Sequence, residues 1–211
     1  MTTSPVIRVS NIRKVYGSTV AVDDVSFDVE RGEIFGVIGP NGAGKTTTME
    51  CVAGLRKADR GTIAVLGFDP VRDLRALQQK VGVQLQQAQL QKRIKVSEAV
   101  ALWASLYRNP ADGNRLIEQL GLSDKRNAWF MTLSGGQKQR LFIALAVIHD
   151  PDVVLITPLI DLGSDQADYV KACRQLRIPV GHCVASWDNL TNKGLIKALP
   201  DRVFEIGRAH V

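Results

Sequence analysis

A chain of 211 residues holds one generous domain or two small ones, and 45% hydrophobic with 23% charged residues is the make-up of an ordinary globular protein with a sizeable core. The longest apolar run, Leu141 to Ile148, is far short of the roughly 20 residues that cross a bilayer, so any membrane role is expected to come through a partner. The net charge of +6 is scattered, with no basic block, which argues against nucleic acid as a partner.

The opening "MTTSPVIRVS" lacks the basic and apolar regions of a secretory signal, and Cys51, Cys173 and Cys183 have no metal-site spacing, so a reducing, cytoplasmic setting is expected. Val6 to Val9 alternates apolar and polar. "VSFDVE" does so cleanly, putting Val25, Phe27 and Val29 on one face of a strand and Ser26, Asp28 and Glu30 on the other. "EIFGVIG" reads as a buried strand, "PNGAGK" as a glycine loop, and "TTTMECVAGL" as a helix with Met49, Val52 and Ala53 inward.

Helical patterns follow over Asp73 to Lys80, Val96 to Leu106 (opened by Ser97 and Glu98) and Arg115 to Leu120, closed by Gly121. Together they predict a helical insert. "GGQKQRLFIALAVIHD" predicts a long helix with Leu141, Ala144 and Ile148 on one face, and "PDVVLI" a short buried strand. Beyond Ile156 the pattern stays α/β: a helix capped by Ser164 and Asp165 and running to about Arg177, a strand in "IPVGHCVA", a helix over Thr191 to Ala198, and a last strand in "DRVFEI".

"GPNGAGKT", Gly39 to Thr46, fits G-x-x-x-x-G-K-[ST] between a buried strand and a helix, the context that separates a phosphate loop from a chance match. Glycines let successive backbone N–H groups turn inward, and the helix N-terminus adds its positive end. Lys45 supplies a point charge for the β- and γ-phosphates, and the Thr46 hydroxyl is placed for Mg²⁺. A glycine turn of purely structural purpose needs neither residue.

"LSGGQ", Leu133 to Gln137, lies roughly ninety residues further on, before a helix and beyond the helical insert. Alone it would pass for a turn with Ser134 as N-cap. With the phosphate loop upstream, the chain from Val6 to about Ile156 resembles the nucleotide-binding domain of ATP-binding cassette (ABC) transporters, in which "LSGGQ" is the signature. The resemblance implies an α/β phosphate-loop NTPase with an antiparallel β subdomain and a helical insert, and residues 1–156 as its ATP-binding domain.

On the same resemblance, Tyr16 matches the aromatic that stacks on adenine, and Gly39, Asn41, Gly42, Ala43, Gly44, Lys45, Thr46 and Thr47 hold the phosphates. Gln86 matches the glutamine that reaches Mg²⁺ and couples to the membrane subunit, with Gln84 and Gln87 as neighbouring registers. ATP and Mg²⁺ are thereby expected. So are a membrane-spanning transporter subunit and a second ATP-binding subunit, identical or different. Leu133, Ser134, Gly135, Gly136 and Gln137 of one subunit would close over the nucleotide of the other. The subunit would sit peripherally on the inner face of the plasma membrane. The wording "TTTMECVAGLRKADRGTIAVLGFDP" looks most like the ATPases of bacterial exporters.

The family's next motif is absent. Where its strand ends in Asp-Glu, this chain has Thr157 and Pro158, so the water-positioning acid is missing while the phosphate cradle stays. Asp161 and Asp165 do not reproduce the pair, and His182 comes several residues early for the family's switch histidine. ATP binding without hydrolysis is the alternative this raises. Residues 157–204 resemble a segment of bacterial glycosyltransferases of the two-Rossmann-domain type, and Glu205 to Val211 a translated sequencing adapter, although "DRVFEIGRA" also resembles the strand that ends ABC cores. The expectation is a truncated ABC domain continued by a Rossmann-like α/β tail over 157–211, a chimeric chain. A glycosyltransferase reading of the whole chain would leave Gly39 to Thr46 unexplained.

Overall fold

The computed structural model describes residues 4–40, 42–84, 89–156, 180–183 and 202–206. Two sheets organise them. β1 (Ile7–Tyr16) and β2 (Thr19–Val29) form a hairpin across Gly17 and Ser18, and β4 (Arg60–Val65) pairs antiparallel on the other side of β1. The inward set of β2, with Val22 added, is buried as its alternation predicts.

The second sheet is parallel, in the order β5 (Val81–Gln84), β6 (Val153–Ile156), β7 (Val180–Cys183), β3 (Ile34–Ile38), β8 (Arg202–Glu205). Its strands all point the same way, so their carboxyl ends line one rim, where ligands bind in open α/β sheets. α1 (Lys45–Val52) follows β3, with Met49, Val52 and Ala53 buried against the region between the sheets.

α2 (Leu74–Leu77) is one turn long, shorter than the helix expected over Asp73 to Lys80. The chain leaves it because Val81 and Gly82 enter the sheet, where β5 lies against α5 so closely that a Cβ on Gly82 would run into the Ala146 carbonyl oxygen. α3 (Val96–Ala104), α4 (Gly113–Gln119) and α5 (Gly135–Val147) build the insert around a second core in which Leu141, Ala144 and Ile148 are fully buried. α3 stops two residues before Leu106, the end expected for it. Its start is fixed by Glu98, whose carboxylate accepts the Lys95 N–H at 2.9 Å.

β4 and β5 escaped the sequence reading. β4 is exposed along its first three residues and partly buried over the next two, so it carries no alternation, and β5 spans four residues with a glycine. The helices expected at 164–177 and 191–198 lie outside the described residues. Strands do form within "IPVGHCVA" and "DRVFEI", and both join the sheet that carries β3.

Candidate nucleotide site

β3 ends at Ile38 and the chain turns sharply: Gly39, Gly42 and Gly44 have φ of 151°, 83° and 86°. These are backbone shapes that a side chain resists. Packing adds a second reason at the two ends. A Cβ on Gly39 would strike the carbonyl oxygen of Ile206, and one on Gly44 the carbonyl oxygen of Ala21 in β2. The loop is clamped between the hairpin and the residue after β8, whose N–H donates to Ile38 O at 2.8 Å.

Gly44 is the N-cap of α1 and offers no side-chain cap, so the helix N-terminus faces the loop with no capping side chain over it. Lys45 is buried, and its Nζ donates to the carbonyl oxygens of Gly39 and Pro40, each at 2.7 Å. An ammonium held by two loop carbonyls at the start of a helix is a positive charge placed where an anion can bind. Ala43 is buried, Gly42 and Thr46 are exposed and Thr47 is half-buried, while Asn41 lies outside the described residues.

Tyr16 ends β1 opposite Thr19, and Ala21 and Val22 of the same hairpin meet Gly44, so the aromatic stands beside the loop, 41% exposed. Two cations approach its ring, Lys14 Nζ and Arg56 Cζ, each 5.5 Å from the centroid. Lys14 Nζ bonds Asp59 at 2.8 Å, which raises the lysine and lowers the aspartate from their ordinary pKa values. Arg56 Nε donates to Glu50 of α1, and that bond raises the pKa of Arg56. Sequence reasoning missed both cations, since no spacing rule ties residue 56 to residue 16.

The signature segment is assembled differently. Ser134 caps α5, accepting the Gln137 N–H at 3.3 Å while its own N–H bonds Gln137 Oε1 at 2.9 Å. Leu133 is buried, Ser134 and Gly135 are exposed, Gly136 and Gln137 are half-buried, and a Cβ on Gly135 would meet nothing within 4 Å.

Of the metal and catalytic expectations, Gln86, Thr157 and Pro158 lie outside the described residues, as do Asp161 and Asp165. Gln84, the neighbouring register, is buried at the end of β5, and Ile156 ends β6 beside it. His182 lies in β7 level with Gly36 of β3, three residues before the loop begins at Gly39. At the rise of a strand that is about 10 Å short of the rim. Among the described residues no group of three or more His, Cys, Asp or Glu is placed to hold a metal, and the Thr46 side chain is exposed in the first turn of α1.

A phosphate-binding loop at the rim of a parallel sheet, an aromatic beside it and an exposed, serine-capped helix N-terminus on the insert define a phosphate-loop nucleotide-binding domain. The sequence matches the family described as ABC transporter over residues 22–156. The chain belongs to that family, and this stretch is its ATP-binding domain.

Relatives agree. "Nod factor export ATP-binding protein I" of Ralstonia nicotianae is 37% identical over 158 residues, 72% of this chain and 49% of that protein. "Methionine import ATP-binding protein MetN 2" of Shouchella clausii is 42% identical over 162 residues, 71% of this chain and 48% of its own length. The chain thus spans about half the length of the curated relatives it matches. Among solved structures, cbiO1 of Clostridium perfringens, described as part of the ABC transporter complex cbiONQ, shares the fold with a TM-score of 0.78 at 21% identity. That match covers 97% of this chain and 85% of the other. No helix among the described residues is long and apolar enough to cross a membrane.

Proposed function

We propose that this chain is the ATP-binding subunit of an ABC-type exporter, coupling ATP binding and hydrolysis to transport through a separate membrane subunit at the inner face of the plasma membrane. The observation that carries the reading is the buried Lys45 ammonium, held by the Gly39 and Pro40 carbonyls at the start of α1. The glycine loop, Lys45, Thr46 and Thr47 would hold the triphosphate and Tyr16 the base, while Thr46 and Gln86 would hold Mg²⁺, which would offset the charge of the phosphates.

A second ATP-binding subunit, identical or different, closes the site. The open space around Gly135 supports this: its own chain gives no packing reason for a glycine there, whereas a phosphate approached closely by the α5 N-terminus does. The relatives' names divide between export and import, and export rests on the wording around α1. Domain division follows the same logic, with residues 1–156 as the ATP-binding domain and 157–211 as an atypical tail.

Thr157 and Pro158 favour a second reading, a subunit that closes on ATP without hydrolysing it, because a proline has no side chain to orient the attacking water. A chimeric origin of residues 157–211 belongs to that reading. Against it stands the packing of residues 202–206, which fill an edge position beside β3. ATP turnover with Mg²⁺, measured beside a binding titration on the same sample, separates the two. Turnover abolished by Lys45→Ala supports the motor. Saturable binding without turnover, restored by Thr157→Asp with Pro158→Glu, supports the silent subunit, and absence of both binding and turnover refutes each.

A further inference from the structure

Tyr16 does not stand alone beside the phosphate loop. Its ring is exposed, and two cations lie over it, Lys14 Nζ and Arg56 Cζ, each 5.5 Å from the centroid. They are held differently. Lys14 projects from β1 two residues before the ring, and its side chain is 17% exposed. Asp59 fixes it, accepting from Lys14 Nζ and from the Val15 N–H, both at 2.8 Å. Arg56 reaches the ring from the bend after α1, and its side chain is 45% exposed. Its described ion pair is with Glu50 of α1, which accepts from Arg56 Nε.

A base stacked on an aromatic ring lies about 3.5 Å above it, and one caught between the ring and a guanidinium needs about 7 Å. The 5.5 Å beneath Arg56 does not leave that room. We propose that Arg56 is a placeholder on the ring: it takes up the face on which a base would stack, and a nucleotide has to push it aside to bind. The proposal rests on the reading of Tyr16 as the base platform. Lys14 is not the group that gives way, because moving it would break its bond to Asp59 and uncover a side chain that is mostly shielded. Arg56 moves at lower cost, since nearly half of its side chain already meets water and an ion pair open to solvent is weak. What its displacement gives up is the cation–π attraction to the ring, which at an exposed site amounts to about threefold in affinity. A phosphate chain alone, held at Lys45, bears none of that cost. The contact is thus autoinhibitory toward nucleotides and silent toward polyphosphate.

The test is a calorimetric titration of the full chain, in Mg²⁺, with ATP and with inorganic tripolyphosphate, which keeps the phosphate chain and lacks base and sugar. Arg56→Ala is expected to tighten ATP about threefold and to leave tripolyphosphate unchanged or slightly weaker. The sign separates this from plain charge attraction, because losing a cation that only draws in the phosphates would weaken both ligands. Arg56→Gln, which keeps a long polar side chain without the charge, should act as Arg56→Ala does. Unchanged or weaker ATP binding in both Arg56 variants overturns the inference, as does an equal gain for tripolyphosphate. Tyr16→Ala tells the two possible failures apart. ATP weakened by Tyr16→Ala, with no gain on removing Arg56, defeats the placeholder alone, whereas ATP unaffected by Tyr16→Ala defeats the base platform and the placeholder with it.

Discussion

The phosphate loop and the signature are both glycine-bearing segments that end in the N-terminus of a helix, and they are held for opposite reasons. At the loop, Gly44 caps α1 in the left-handed conformation with a backbone oxygen of β2 pressed against it, and Lys45 is buried inside. At the signature, Ser134 caps α5 with its own side chain, Gly135 has open space around it, and both face solvent. Gly39 and Gly44 are demanded by the chain's own packing. Gly135 is not, so its purpose lies with whatever meets that helix end from outside.

The sharpest way to break this contrast is to add a methyl group on each side. Gly44→Ala should cost at least about 2 kcal/mol of stability, because a side chain there combines an unfavourable φ with a collision into main chain that cannot slide away. Chemical denaturation measures it. Phe204→Ala should come next, at about 2 kcal/mol, since the Phe204 ring of β8 packs 5.2 Å from Phe27 and 6.3 Å from Phe35. A loss below about 0.5 kcal/mol would mean that β8 contributes little to the fold.

Gly135→Ala, by contrast, should leave stability within about 0.5 kcal/mol of wild type. It should still abolish ATP-dependent self-association followed by light scattering, if the second subunit is a copy of this chain. An unstable Gly135→Ala protein would erase the distinction between the two motifs.

The smallest effect concerns the joint between insert and core. His149 is buried at the end of α5 and stacks on Tyr107, with ring centroids 4.1 Å apart. Burial lowers its pKa, opposed by the backbone of Val81, which stops short of good hydrogen-bond geometry, and by Asp150. The unfolded chain therefore binds the proton first, and stability should fall as pH drops from about 6.5 toward the lowered native value. His149→Gln should flatten that part of a stability-against-pH curve. An unchanged slope would assign it to other groups.

How much of this could be read from residue order depends on where the constraint lies. β2, α1 and α5 follow from local alternation or periodicity, and the loop from a motif whose glycines and lysine act within one segment. α2 was overestimated because its continuation is decided by β5 packing on Ala146, a contact between residues 64 apart in the chain. Lys14 and Arg56 were missed for the same reason: their carboxylate partners, Asp59 and Glu50, look like ordinary surface charges until the fold brings them beside Tyr16. Thr157 and Pro158, the positions where the resemblance leads to an expected acid pair, lie outside the described residues.

The most direct test of the central claim, that the phosphate receptor is complete within this chain, is an ATP titration of wild type and Lys45→Ala by calorimetry with Mg²⁺ present. Saturable binding at one site per chain, weakened about 100-fold by the substitution in a protein that still folds, is the expected result. Equal affinity in the two proteins would contradict it.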